Sequence, residues 1–409
     1  MTSSRGKYLL AVVVLLALAG ILFFTQGEKP PEVVVTLQPS PVSIVSTLPS
    51  AQTPENLPIP DGNLKDSVIA AGEYLLRQQL PNGELTYQVD FMTGERAYSP
   101  SHVRLIAGTG ALFTVCRVSG DLQFCRAGDL ALDHYLELLV TDPDHFRGTC
   151  FYAEGICPLG GAALAVDTIY KRWQATGDFS LQDRNLLDIT IELGYFILSM
   201  RKPGGDFYHA FDPYFNGVAD PDFYMTHASS QSLLALVELY EMTGNKFWLE
   251  QAREVNEYIV SQPVTEDHWH AYALAKLARL DSLTKADKAY ATQIAQTIIK
   301  GEVRSLNPKN TSISTATKLE GLAALSQALY LSKEEHQWLD PEMRTFVTFV
   351  QARQLPDNDC NWTITEEMTV EFGGGIFSNC DEASIRIDGL QNWINGMTTY
   401  LEYGSMIKE

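Results

Sequence analysis

Basic residues are in short supply. Thirty lysines and arginines face fifty aspartates and glutamates, giving a formal charge of -20. Such a surface repels a phosphate backbone, and no sizeable Lys/Arg patch interrupts it, so nucleic acid is not an expected partner. Three familiar constructions are also missing: the phosphate-cradling glycine loop, the nucleophile elbow and the His-Glu-x-x-His sequence. P-loop nucleotide enzymes, α/β-hydrolases and zinc-helix proteases are thereby set aside. Histidine is sparse, with eight in the chain. His102, His227 and His270 sit in contexts too different to read as a metal-ligand set. No metal and no cofactor is expected.

Long apolar runs are scarce too, and the conspicuous one lies near the start. Arg5 and Lys7 precede Tyr8–Phe24. At ~1.5 Å per residue this run would extend about 25 Å as a helix, close to a bilayer core. The expectation is a signal-anchor or transmembrane helix over residues 1–26, basic flank inside, with a membrane-anchored head in an extracytoplasmic compartment. Residues 27–60 then turn proline-rich, and proline removes amide donors and extends its neighbours, so a semi-rigid stalk is expected there. The remaining 61–409 read as one domain. Six cysteines lie in it: Cys116, Cys125, Cys150, Cys157, Cys360 and Cys380. Fifteen pairings are possible. The local set is preferred, because each neighbouring pair brackets a single loop and an exported compartment permits disulfides.

What the chain has in abundance is repetition. Six times an amphipathic helical stretch is followed by a loop and a second stretch richer in Ala, Gly, Leu, Ser and Thr. The first-type stretches are Leu64–Gln79, Ala127–Val140, Asn185–Met200, Phe247–Ser261, Lys285–Ile299 and Pro341–Arg353. The second type begin near Ser101, Gly160, Met225, Asp267, Thr315 and Ser384. Six alternating pairs can close a toroid, small-residue helices inside. Second-type helices often end in tight turns: Ser119-Gly120-Asp121, Thr176-Gly177-Asp178 and Thr243-Gly244-Asn245. The opposite connections are mostly longer, and Gly83–Asp90 alternates like a hairpin strand. The fold class is therefore all-α, with small β-hairpins in loops at one end. Function is expected at that long-loop end, where inner-helix N-termini aim unpaired amides. Tyr87, Tyr98, Tyr152, Tyr208, Tyr214, Tyr224 and Trp269 are placed to reach its rim.

His102-Val103-Arg104-Leu105-Ile106-Ala107-Gly108-Thr109 and Ile385-Arg386-Ile387-Asp388 each open an inner helix. With the sixfold alternation, they give a chain that resembles the six-hairpin (α/α)6 toroids of glycoside hydrolases, polysaccharide lyases and sugar epimerases. The resemblance covers about Leu64–Tyr403 and implies a carbohydrate-active enzyme. It transfers no catalytic role to a particular residue.

Those roles come from the residues themselves. Hydrolysis of a glycosidic bond needs one protonated and one ionised carboxyl. Glu320 and Asp388 stand at similar positions on the last two inner helices and are the expected acid–base pair. Glu84, Asp90, Arg104, Asp222, Tyr224, His227, Glu382 and Arg386 are the expected sugar-binding set. A structural Arg386–carboxylate pair pinning the glycine-rich loop competes with a functional Asp388. Asp167, alone in an apolar stretch of the second inner helix, reads as an internal hydrogen-bond acceptor. The leading expectation is a glycoside hydrolase of the cell envelope acting on a polysaccharide or oligosaccharide. A lyase or epimerase using His227 or Tyr224, and a non-catalytic glycan-binding protein, are the alternatives.

Overall fold

The computed structural model describes residues 61–97, 101–212, 219–300 and 310–408, all within one compact unit, Pro58–Glu409. Six helices form an inner ring: α2 (His102–Ser119), α4 (Leu159–Thr176), α6 (Ala228–Thr243), α8 (His268–Arg279), α10 (Ser312–Leu331) and α13 (Ile387–Met406). Six alternate with them outside: α1 (Asp61–Arg77), α3 (Leu122–Leu136), α5 (Leu186–Ser199), α7 (Lys246–Val260), α9 (Lys285–Lys300) and α11 (Asp340–Gln351). A short α12 (Glu366–Phe372) lies in the last long loop.

Burial sorts the two rings. Every residue from Leu105 to Cys116 of α2 is buried, as is every residue from Lys318 to Leu329 of α10. A helix surrounded on all sides needs small or apolar residues throughout, which is why the second-type stretches are rich in Ala, Gly and Leu. An outer helix such as α7 buries one stripe only, Trp248, Leu249, Ala252, Val255 and Asn256. Each inner helix packs on the next, and α13 packs on α2 to close the ring.

The tight turns follow from the glycines. Gly120, Gly177 and Gly244 take φ of 77°, 70° and 66°, and each donates its amide to the helix it ends. A side chain is strained in that left-handed region, and glycine is not. Asp121 then caps α3 directly, accepting from the Gln123 amide at 2.9 Å. The helix therefore starts at Leu122, five residues before the apolar stripe that reveals it in the sequence.

At the long-loop end the first and last loops join in one sheet of order β2-β1-β4-β3. It comprises β1 (Gln88–Asp90), β2 (Arg96–Ala97), β3 (Phe377–Asn379) and β4 (Glu382–Arg386). Antiparallel pairing sets Gln88 opposite Arg386 and Asp90 opposite Ser384. Outside the sheet the seam continues: the Trp393 indole donates to Ser67 Oγ at 3.1 Å, and Gln354 Nε2 to the Ser67 carbonyl at 2.8 Å. Disulfides link Cys116–Cys125, Cys150–Cys157 and Cys360–Cys380, with Cα separations of 5.4, 5.7 and 5.2 Å.

The transmembrane part of the expected fold class is corrected. No helix among the described residues is long and apolar enough to cross a membrane. The apolar stretches here belong to inner helices, whose runs are broken by the polar side chains described below. The segment 1–26 and the stalk 27–60 lie outside the described residues. The expected membrane attachment through an N-terminal anchor, and the anchored location built on it, are corrected with it, since no described helix supplies a membrane span.

Candidate active site

A cavity of about 580 Å³ runs into the centre of the ring. Its walls come largely from the C-terminal halves of inner helices: Thr114 and Arg117 of α2, Gln174 of α4, Gln327 of α10, and Thr398 to Met406 of α13. It therefore lies toward the short-turn end, opposite the end the sequence favours. Polar residues recur along each wall at helical spacing, as in Asp167, Lys171 and Gln174, or Tyr272, Lys276 and Arg279. This spacing turns a row of side chains to one face, here the ring axis.

An ionic bridge links three inner helices beside the cavity. Glu402 of α13 lies 2.7 Å from Arg117 of α2 and 3.8 Å from Arg279 of α8. Arg279 also donates to Gln327 of α10 at 2.6 Å. All three ionic partners are about one-third or more exposed, at 35% for Arg117, 33% for Glu402 and 41% for Arg279.

Deeper inside, the charges are nearly buried. Lys171 Nζ lies 2.8 Å from Asp167 Oδ2. Lys276 Nζ lies 2.7 Å from Glu241, 3.6 Å from Glu238 and 3.7 Å from the centre of the Tyr170 ring. Burial, reinforced by the Asp167 charge, pushes the Glu238 carboxyl well above the ordinary range, although Lys276 opposes it. Glu238 Oε2 is buried without a hydrogen-bond partner. Burial would lower the Lys276 ammonium, but Tyr170, Glu238 and Glu241 together raise it. Asp167 and Glu238 are thus two carboxyls of one cavity in unlike surroundings, the first paired directly with a lysine and the second held toward its neutral form. Trp269, Tyr170 and Tyr272 add flat faces to the wall.

Glu320 and Asp388 are placed differently. Glu320 is fully buried and receives the Tyr272 hydroxyl at 3.1 Å, behind the cavity wall. Burial pushes its carboxyl well up. Asp388 lies at the start of α13, bound by Arg386 at 2.5 Å and by Arg104 at 3.7 Å. Arg104 also donates to the Tyr87 hydroxyl. The two carboxyls have separate sets of partners, and neither lines the cavity.

The rest of the expected set scatters around the long-loop end. Asp90 Oδ1 is occupied by the amides of Met92 and Thr93, which makes it a turn former. Glu84 is half-buried, and Glu382 and Asp222 are exposed. Tyr224 is 74% exposed, its ring 5.1 Å from that of His209. Tyr98 and Tyr214 lie outside the described residues. The three histidines do not converge: His102 meets Glu154, His270 meets Asn256, and His227 meets Asp267. Beside His227 stands His268, which sequence reasoning passed over. Burial pushes its imidazole down to about 3.

The internal hydrogen bond expected of Asp167 is supplied by Lys171, and the same side chain lines the cavity. Glu238, Lys276 and Tyr272 went unnoticed. The signal for Tyr272 and Lys276 is four-residue spacing on a helix mostly buried, and for Glu238 a lone carboxyl within the buried run Ser230–Leu239.

No family model and no curated protein matches the chain. Solved structures do. Cellobiose 2-epimerase from Spirochaeta thermophila matches with a TM-score of 0.62 at 14% identity, covering 87% of this chain and 100% of that one. D-mannose isomerase matches with 0.61 at 10% identity, covering 85% and 99%. The unsaturated glucuronyl hydrolase of Bacillus sp. GL1, described as responsible for the degradation of glycosaminoglycan, matches with 0.57 at 13%, covering 82% and 96%. At such identities the likeness is one of architecture, and it extends over nearly the whole of each structure. The chain has an (α/α) toroid fold, the architecture it shares with these epimerase, isomerase and hydrolase structures.

Proposed function

We propose that the chain is a carbohydrate-active enzyme that hydrolyses a glycosidic bond in the central cavity, with Glu238 as general acid and Asp167, paired with Lys171, as the second carboxyl. The observation that carries this reading is the pair of carboxyls with opposed surroundings on one 580 Å³ cavity. A protonated Glu238 can donate to the leaving oxygen as the bond to the anomeric carbon breaks. Asp167 can attack that carbon or take the proton of the water that does. Lys171 and Lys276 keep the local charge balanced while the proton moves. Trp269, Tyr170 and Tyr272 suit the apolar C–H faces of a sugar ring, and Gln174, Gln327 and Asn395 suit its hydroxyls. Glu320 has a supporting part, fixing Tyr272 in the wall.

The test is a screen of oligosaccharides and polysaccharides that reads new reducing ends, unsaturated sugars and epimerised sugars together. Wild-type chain should release reducing ends, and Glu238→Gln and Asp167→Asn should each lose the activity at least about 100-fold. Undiminished hydrolysis in both variants would remove the pair. Unsaturated or epimerised products would replace hydrolysis by elimination or epimerisation.

A further inference from the structure

His227 is the N-cap of α6, Asp267 is the N-cap of α8, and His268 is the first residue of α8. These positions are forty residues apart in the chain, but the ring sets the two helix starts side by side. One ring nitrogen from each histidine and one oxygen of Asp267 lie within 4.8 Å of one another. His227 Nδ1 stands 3.5 Å from Asp267 Oδ1, too far for a good hydrogen bond. Nδ1 of His227 and Nδ1 of His268 are both buried without any hydrogen-bond partner. The His268 side chain is only 7% exposed, so water does not readily satisfy it. One imidazole nitrogen with no partner and a second held only by a 3.5 Å contact, both beside one carboxylate, call for something between them.

We propose that His227, Asp267 and His268 bind a divalent ion of the zinc class. Two imidazoles and one carboxylate suit a borderline-soft ion, whereas magnesium and calcium favour all-oxygen sites. The surroundings hold these side chains ready. Asp267 Oδ1 accepts the Trp269 and His270 amides at 3.0 and 3.2 Å, and its Oδ2 accepts the Ser230 hydroxyl, which fixes the carboxylate. His268 Nε2 faces Glu320 Oε2 at 3.8 Å. A ligating histidine commonly turns its second nitrogen to a carboxylate, which fixes the ring. His227 is 34% exposed, leaving a solvent route for the ion and for a water ligand. Against binding stand the positive ends of α6 and α8, which disfavour a cation and moderate the affinity. The bound ion would clip the starts of two neighbouring inner helices together at the long-loop end, whatever reaction the cavity performs.

The experiment uses the purified chain stripped with EDTA and dialysed into metal-free buffer. Zinc chloride is titrated calorimetrically, and cobalt chloride is followed by its visible ligand-field absorption. One ion per chain is expected, with cobalt bands showing nitrogen ligation. Losing a second-sphere partner alone typically costs 10–100-fold in affinity, so His227→Ala should weaken zinc about tenfold or more. Asp267→Asn, which keeps the helix cap, should do likewise while circular dichroism remains that of the wild type. The acidic surface will hold some zinc loosely. Binding equal in wild type and in both variants, or none in the wild type, would overturn the site.

Discussion

Lys276→Met isolates the electrostatics of the cavity floor. Methionine keeps much of the apolar stem and removes the ammonium, leaving Glu238 and Glu241 without their shared cation. The Glu238 side chain is 2% exposed and Glu241 is 18% exposed, so neither regains much water. Breaking a buried pair by deleting one partner costs about 3–5 kcal/mol. Retained packing and the partial exposure of Glu241 argue for the lower end, about 3 kcal/mol. At about 2.1 cal/mol/K per residue over roughly 350 residues, that is about 4 °C in Tm. The loss should depend on pH. Lys276 opposes the upward shift of Glu238, so without it that folded-state carboxyl rises further above its unfolded value of about 4.3, and the folded chain binds more protons than the unfolded one above that pH. Stability of the variant then falls as pH rises, and its deficit against wild type is larger at pH 8 than at pH 5. Scanning fluorimetry at both values measures this. Lys276→Met with Glu241→Gln should recover part of the deficit. A deficit under about 1 kcal/mol, or one identical at the two pH values, would refute the assignment of Lys276 as the cation on which both carboxyls depend.

Two further outcomes are expected. Hydrolysis should fail on the alkaline side as Glu238 deprotonates through its raised pKa, and a pH–rate profile with no alkaline limb would speak against it as the acid. A Cβ on Gly108 would sit 2.4 Å from Ile387 Cδ1 where α2 meets α13, so Gly108→Val should cost about 1–3 kcal/mol in urea unfolding; adding Ile387→Ala should return part of it, and no change in either variant would mean the seam is looser than the contact implies.

The repeat was legible because two different constraints wrote it. Leucine and alanine crowd the inner helices because all sides are buried, and Gly120, Gly177 and Gly244 mark the turns because only left-handed backbone reverses the chain so tightly. Pairings across the ring left no comparable trace. Glu320 lies more than two turns into α10 and Asp388 in the first turn of α13, and Tyr272 takes the one while two arginines take the other. Which face a polar residue presents depends on helix rotation, and a periodicity of 3.6 does not fix that rotation to the few tens of degrees that separate lining a cavity from lying behind its wall. The His227–His268 neighbourhood was hidden for a simpler reason: it is made by packing two hairpins, and nothing local in either one announces the other.

The seam between the first and last hairpins has a consequence for how the molecule comes into being. Ser67 and Trp393, which meet across it, are 326 residues apart. At about 5–20 residues per second, a ribosome needs on the order of 16–65 s to make the second after the first. Open solenoids can grow by adding units to a finished stack, but a closed ring has one final docking event that cannot begin early. Through that interval α1, whose Leu64, Val68, Ala71 and Leu75 are buried in the finished ring, lacks one of the helices it packs on. A nascent chain arrested before α13 should consequently bind holdase chaperones through α1, and should let go of them once the last helix emerges.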